Sequence, residues 1–287
     1  MKKIIFLLAA VAALCGACTS SKNITQTFNS VIEVDAGQVA GTMEEPSQAE
    51  ADIRDDSAQK VYTFLYDSEG NVVLDADMDI SSTAVALWEV NEIPAGEYHL
   101  VCISFAQSEQ RQLYAIEGKS NISTLKVHQN IDQTFYPDMS QLGTACEKIV
   151  IGESDTIKVS LFPASACVNV IYPVSDEVAE PSDTLVAFRL RTNTDVNFTE
   201  GEPSFSNPEE MIIPMSSGDS KSCLVFPSES FSYKVSYNLD ENRVLEFASD
   251  TLKVEKGLQY TASIDWCNKT VVFENTSTGN DNPESVE

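Results

Sequence analysis

The chain has 287 residues, with 44 acidic against 18 basic side chains and a net charge of −26. A surface this acidic repels nucleic acid and anionic headgroups, so nucleic-acid binding is excluded and membrane contact would need a lipid anchor. Only two histidines and no zinc-type cysteine spacing argue against metal chemistry.

Lys2 and Lys3 precede an apolar run from Ile4 to Leu14, and the small residues Gly16 and Ala17 lead to Cys18. The run is too short to span a bilayer and reads as a secretory signal peptide over 1–17. LCGAC resembles the bacterial lipoprotein signal, in which Cys18 is acylated and becomes the first residue; the other reading is an ordinary leader that happens to contain cysteines. Cleavage leaves about 270 residues, enough for one large domain or two of ordinary size. Five cysteines (102, 146, 167, 223 and 267) then remain besides Cys18, an odd number, and export permits disulfides whose connectivity the spacing does not give.

Residues 18–60 read as a lipidated tether and N-terminal segment, with a short strand at 30–34 and a loop or short helix near 47–53. From Val61 onward, alternating β-branched and aromatic runs bounded by turn formers predict strands at 61–66, 71–75, 83–90, 97–105 and 112–117. The next are predicted at 156–162, 166–172, 184–192, 210–215, 222–227, 231–239, 243–248, 251–256, 259–266 and 270–275. So many short strands predict an all-β chain of sandwich domains, divided near Pro163 into 61–163 and 164–275, with a polar, disordered tail over 276–287.

The stretch YDSEGNVVLDADMDI (66–80) is the most site-like. As a calcium loop beginning at Asp67 it brings glycine at position four and Met78 at position twelve, whereas such a loop requires glycine at six and glutamate at twelve. It reads instead as a hairpin turn with Gly70 free to take positive φ, followed by Asp75, Asp77 and Asp79 on one solvated strand face. In IPAGEYHLV, Pro94 and Gly96 read as the same device. His99 and His128 sit outside any catalytic motif and read as surface or edge residues, and no nucleophile elbow, dinucleotide loop or phosphate loop is present. No catalytic residue, metal or cofactor is expected.

The pattern carried by Val61, Phe64, Tyr66, Asp67, Gly70 and Val72, then Ile93, Pro94, Gly96, Tyr98, Leu100 and Val101, resembles the fimbrillin-like lipoproteins of Bacteroidales. More narrowly it is similar to the fimbrillin-associated anchor and accessory subunits of type V pili. The resemblance implies two tandem transthyretin-like, Greek-key β-sandwich domains, export as an outer-membrane-anchored lipoprotein, and pilus partners engaged by strand exchange. It also implies that proteolytic processing, where it occurs, follows an arginine near the mature N-terminus, for which Arg54 is the candidate. Ser57, Thr156, Thr184 and Thr251 each follow an aspartate and precede an aliphatic residue, resembling the O-glycosylation acceptor of exported proteins in such bacteria. The expected function is a non-catalytic, lipid-anchored envelope protein acting by strand pairing in fimbrial assembly or adhesion. The alternative is a cell-surface glycan-binding lipoprotein presenting Trp88 and Trp266.

Overall fold

A computed structural model describes residues 26–39, 58–80, 83–107, 112–131, 141–152, 156–173, 186–199, 202–240, 243–249, 252–265 and 268–277. Nineteen strands, β1 to β19, run along these residues, and no α-helix occurs among them. The all-β class follows from the alternation that the sequence displays.

The first half builds two facing sheets. The smaller places β1 (Thr27–Asp35) between β4 (Val85–Pro94) and β9 (Thr156–Ser160). The larger runs β10-β8-β5-β2-β3, with β2 at Ala58–Tyr66, β3 at Val72–Asp79, β5 at Gly96–Gln107, β8 at Gly143–Ile151 and β10 at Phe162–Pro163. Between them lies a core of Ile32, Val34, Trp88, Val90, Leu65, Leu100, Cys102 and their neighbours.

In the second half two further sheets enclose a core of their own. One sheet runs β14-β11-β18-β19 (Ser220–Val225, Ala166–Ile171, Gln259–Asp265, Thr270–Asn275). The other is centred on β12 (Val186–Asn197) and β15 (Ser228–Asp240), with β13 (Ser204–Met215), β16 (Arg243–Ala248) and β17 (Leu252–Val254) beside them. Phe188, Leu190, Ile213, Phe231, Val235 and Ala262 are buried between these two sheets.

A third core joins the halves. The hairpin of β6 (Tyr114–Glu117) and β7 (Lys126–Gln129) leaves the first half and pairs with the far end of β12, Val127 lying opposite Val196. Phe64, Tyr66, Val101, Ile103 and Phe105 on the outer faces of β2 and β5 thereby meet Val196, Phe198, Leu224 and Phe226. Ring contacts lead from one half to the other: Phe105 to Tyr114 at 5.3 Å between centroids, then Tyr114 to Phe226 at 6.2 Å. Strands β2 and β5 are buried on both faces, which is why FLY and LVCISF read as near-continuous apolar runs.

Five details differ from the sequence expectations. Strand β8 was not predicted, because Gly143, Thr144 and Ala145 are all buried and break the alternation. Strand β7 was missed for its shortness, and 156–162 divides into β9 and β10 at Leu161. The turn at Pro94–Gly96 makes no hairpin: β4 and β5 lie in different sheets, so it carries the chain from one layer to the other, with Tyr98 donating from its hydroxyl to the Pro94 carbonyl at 2.9 Å. His99 is not at an edge, since β5 is central and its neighbours across the sheet are Tyr66 and Lys148. The predicted loop or helix at 47–53 lies outside the described residues, as do 278–287 of the predicted tail over 276–287; the first two residues of that tail are held to β18, Thr276 N–H donating to the Gln259 carbonyl and Gln259 N–H to Ser277 Oγ, each at 2.8 Å.

Candidate assembly interface

The β2–β3 turn is built as the sequence indicates. Gly70 takes φ 81° and its N–H donates to the Asp67 carbonyl at 3.0 Å, while Asp67 Oδ1 accepts from the N–H groups of Glu69 and Asn71. The turn is covered: Ile122 N–H donates to the Gly70 carbonyl at 2.8 Å, and a Cβ at residue 70 would sit 3.0 Å from Ile122 Cγ2. Asp75, Asp77 and Asp79 are exposed along the edge strand β3. Their like charges discourage a further strand from pairing there. Among the described residues no group of acidic, histidine or cysteine side chains could hold a metal ion.

Strand β1 is different. It runs antiparallel to β4 and parallel to β9, with both of its backbone edges occupied. Alternation sends Ser30, Ile32 and Val34 inward. Ile32 lies in the row Trp88–Ile32–Ile157, and Val34 in the row Ala86–Val34–Val159. Both are fully buried. On the outer face Glu33 accepts from Lys158 Nζ at 3.0 Å, beside the exposed Leu87. The strand's end is tied by Ala36 N–H to the Ala84 carbonyl and by Leu161 N–H to the Asp35 carbonyl, each at 2.8 Å, and Val39 then packs onto Gly143. The small sheet is thus completed by the first described strand, which lies before residues 40–57 in the chain and is paired with two strands that come after them.

The remaining marked residues separate clearly. Thr156 is exposed at the start of β9, opposite Val31. Trp88 is buried against the first core rather than displayed. Cys18, Arg54, Ser57, Thr184, Thr251 and Trp266 lie outside the described residues. Among the described residues, Cys102, Cys167 and Cys223 are free thiols, and the Cys146 thiol lies 3.4 Å from the Thr199 carbonyl oxygen. Burial pushes the Cys102, Cys167 and Cys223 thiols upward from their ordinary values, so they are inert core groups.

One polar cluster escaped the sequence reading. Asp195 on β12 accepts from His128 Nδ1 at 2.6 Å and lies 3.6 Å from Lys126 Nζ, which also reaches Glu117 at 3.0 Å. The Glu117 and Asp195 carboxylates hold the Lys126 ammonium above its ordinary pKa. His128 and Lys126 share the outer face of β7, so the cluster fastens the β6–β7 hairpin onto the second half. Alternation in LKVHQ was the available clue, but the partner lies far along the chain.

This arrangement defines a class: an all-β protein of packed sheets, one of which is completed by the first described strand. The chain belongs to the family of fimbrillin-A associated anchor proteins Mfa1 and Mfa2, whose family model matches residues 35–221. Among solved structures it is similar to a proposed polysaccharide-binding protein of Bacteroides thetaiotaomicron, at 13% identity and TM-score 0.57 over 86% of this chain and 96% of that one. It is also similar to proposed adhesins of Bacteroides ovatus (11% identity, TM-score 0.51, 91% and 96% covered) and Bacteroides thetaiotaomicron (9% identity, TM-score 0.52, 89% and 98% covered). At these identities the structural likeness carries the fold. A search of curated proteins finds no match. Family membership makes the chain a fimbria-associated protein of the cell envelope and not an enzyme.

Proposed function

We propose that the protein is an anchor or accessory subunit of a fimbria, acylated at Cys18 and held at the outer membrane, that engages neighbouring pilus subunits by β-strand pairing. The observation that carries this reading is the setting of β1 between β4 and β9. Removing β1 would uncover two unpaired backbone edges and the apolar positions now filled by Ile32 and Val34. An incoming strand with alternating apolar residues would satisfy both. Arg54 follows β1 and precedes β2, so cleavage behind it would free the strand from the body. An uncleaved chain would keep β1 and the lipid together, which suits an anchor.

In this reading the fold is two tandem sandwiches meeting near Pro163, and Ser57, Thr156, Thr184 and Thr251 are glycan acceptors on the exported chain. The glycan-binding alternative loses Trp88, whose indole is in the core. The test is genetic and biochemical. In a strain lacking the protein, fimbriae should be shed into the medium or reduced in number, and Cys18→Ala should reproduce this while leaving the membrane fraction. Fimbriae that stay attached and normal in number without the protein would refute the assignment.

A further inference from the structure

Where the halves meet, four polar side chains are buried and have an atom with no hydrogen-bond partner among the described residues: Tyr114 Oη, Gln129 Oε1, Gln141 Oε1 and Ser165 Oγ. All four residues are at most 3% exposed. They come from separate places in the chain, and strand pairing and backbone hydrogen bonds bring these segments together. Tyr114 and Gln129 face each other across the β6–β7 hairpin. Gln129 Nε2 donates to the Leu224 carbonyl at 2.8 Å, and Leu224 lies opposite Cys167, just beyond Ser165. The Ala164 N–H donates to the Leu142 carbonyl at 2.7 Å, which brings Ser165 beside the segment holding Gln141. The Tyr114 hydroxyl interacts with Ser165, although the two do not reach hydrogen-bond geometry.

Leaving a buried polar group unsatisfied costs about 1–3 kcal/mol, so four together would consume a large share of an ordinary domain's stability of about 5–15 kcal/mol. The chemistry of the set names the missing partner. Two amide oxygens accept only, and two hydroxyls can donate or accept. The set carries no charge, so neither an anion nor a divalent cation is called for. Gln129 Nε2 is already engaged by the Leu224 carbonyl, which leaves its oxygen as the atom still lacking a donor.

We propose that this cluster is an internal water site shared by the two halves, occupied by one or two long-lived water molecules. Each water donates to the glutamine oxygens and exchanges hydrogen bonds with the Tyr114 and Ser165 hydroxyls. A buried water ordinarily makes about three such bonds, a number this set supplies. The hairpin, the β10–β11 link and the segment before β8 are thereby tied together through solvent as well as through side chains.

The test combines water-oxygen magnetic relaxation dispersion with high-resolution crystallography on the mature chain. The wild type should show slow-exchanging water, with density within hydrogen-bond distance of Tyr114 Oη and Ser165 Oγ. Tyr114→Phe and Ser165→Ala, each removing one hydroxyl with little change of shape, should lower the slow-water amplitude by at least one molecule. Should one variant fail to fold, the other and the wild-type density still decide. Density for an ion, direct pairing of the four groups with no water between them, or identical slow-water amplitude in the wild type and a folded variant would overturn the proposal.

Discussion

If β1 is a separable unit of the fold, weakening its inward face should loosen it before anything else. Ile32 is fully buried between Trp88 and Ile157, and its replacement by alanine leaves a cavity walled by two rigid strands. An Ile→Ala change at such a site costs about 2–5 kcal/mol. Every 1.4 kcal/mol is about tenfold in an equilibrium, so local opening of β1 should become roughly thirty-fold to several thousand-fold more frequent. Hydrogen exchange resolved by peptide mass spectrometry reads this directly. In Ile32→Ala, amides of β1 and their partners on β4 and β9 should exchange faster by that factor, while those of β12 and β13 should not change. A peptide with the sequence of Thr27–Asp35, added in trans, should restore protection on β4 and β9. Equal acceleration across β12 and β13 would show that β1 opens only with the whole molecule, and unchanged β1 amides would show that Ile32 does not hold it; either result refutes the reasoning.

The Glu33–Lys158 pair should contribute little, since Lys158 is 74% exposed; Lys158→Ala should cost under about 1 kcal/mol in urea denaturation. Asp195→Asn weakens the clasp on His128 and Lys126, and should cost about 1–3 kcal/mol with faster exchange confined to the hairpin over 114–129. Gly118→Ala should disrupt the same hairpin, because residue 118 has φ 66° and the new Cβ would lie 1.9 Å from the Thr124 carbonyl oxygen; soluble yield and melting temperature should both fall. Alkylation followed by peptide mapping should label Cys102, Cys167 and Cys223 only after denaturation, because burial both blocks the thiols and disfavours their thiolates.

The strands were legible because a half-buried strand writes its burial at period two, and DADMD at the exposed edge of β3 is the plainest case. What the alternation could not carry was which strand lies beside which. IPAG punctuates the chain whether the next strand pairs back or crosses to the facing sheet, and only the partner, set by distant residues, tells the two apart. Strand β8 was hidden because its first three residues are all buried. At the candidate interface, SVIEV was readable as a strand, but its place between β4 and β9 depends on β9, far along the sequence. Asp195 and its two cationic partners were invisible for the same reason.

The pairing of β1 also governs how the protein would respond to being pulled. A tug on the chain before Thr27 acts along the strand, so the rungs to β4 and β9 are sheared together rather than peeled one after another. The small sheet would yield only when both ladders slide at once, and the strongest grip on the N-terminal chain would coincide with its line of tension.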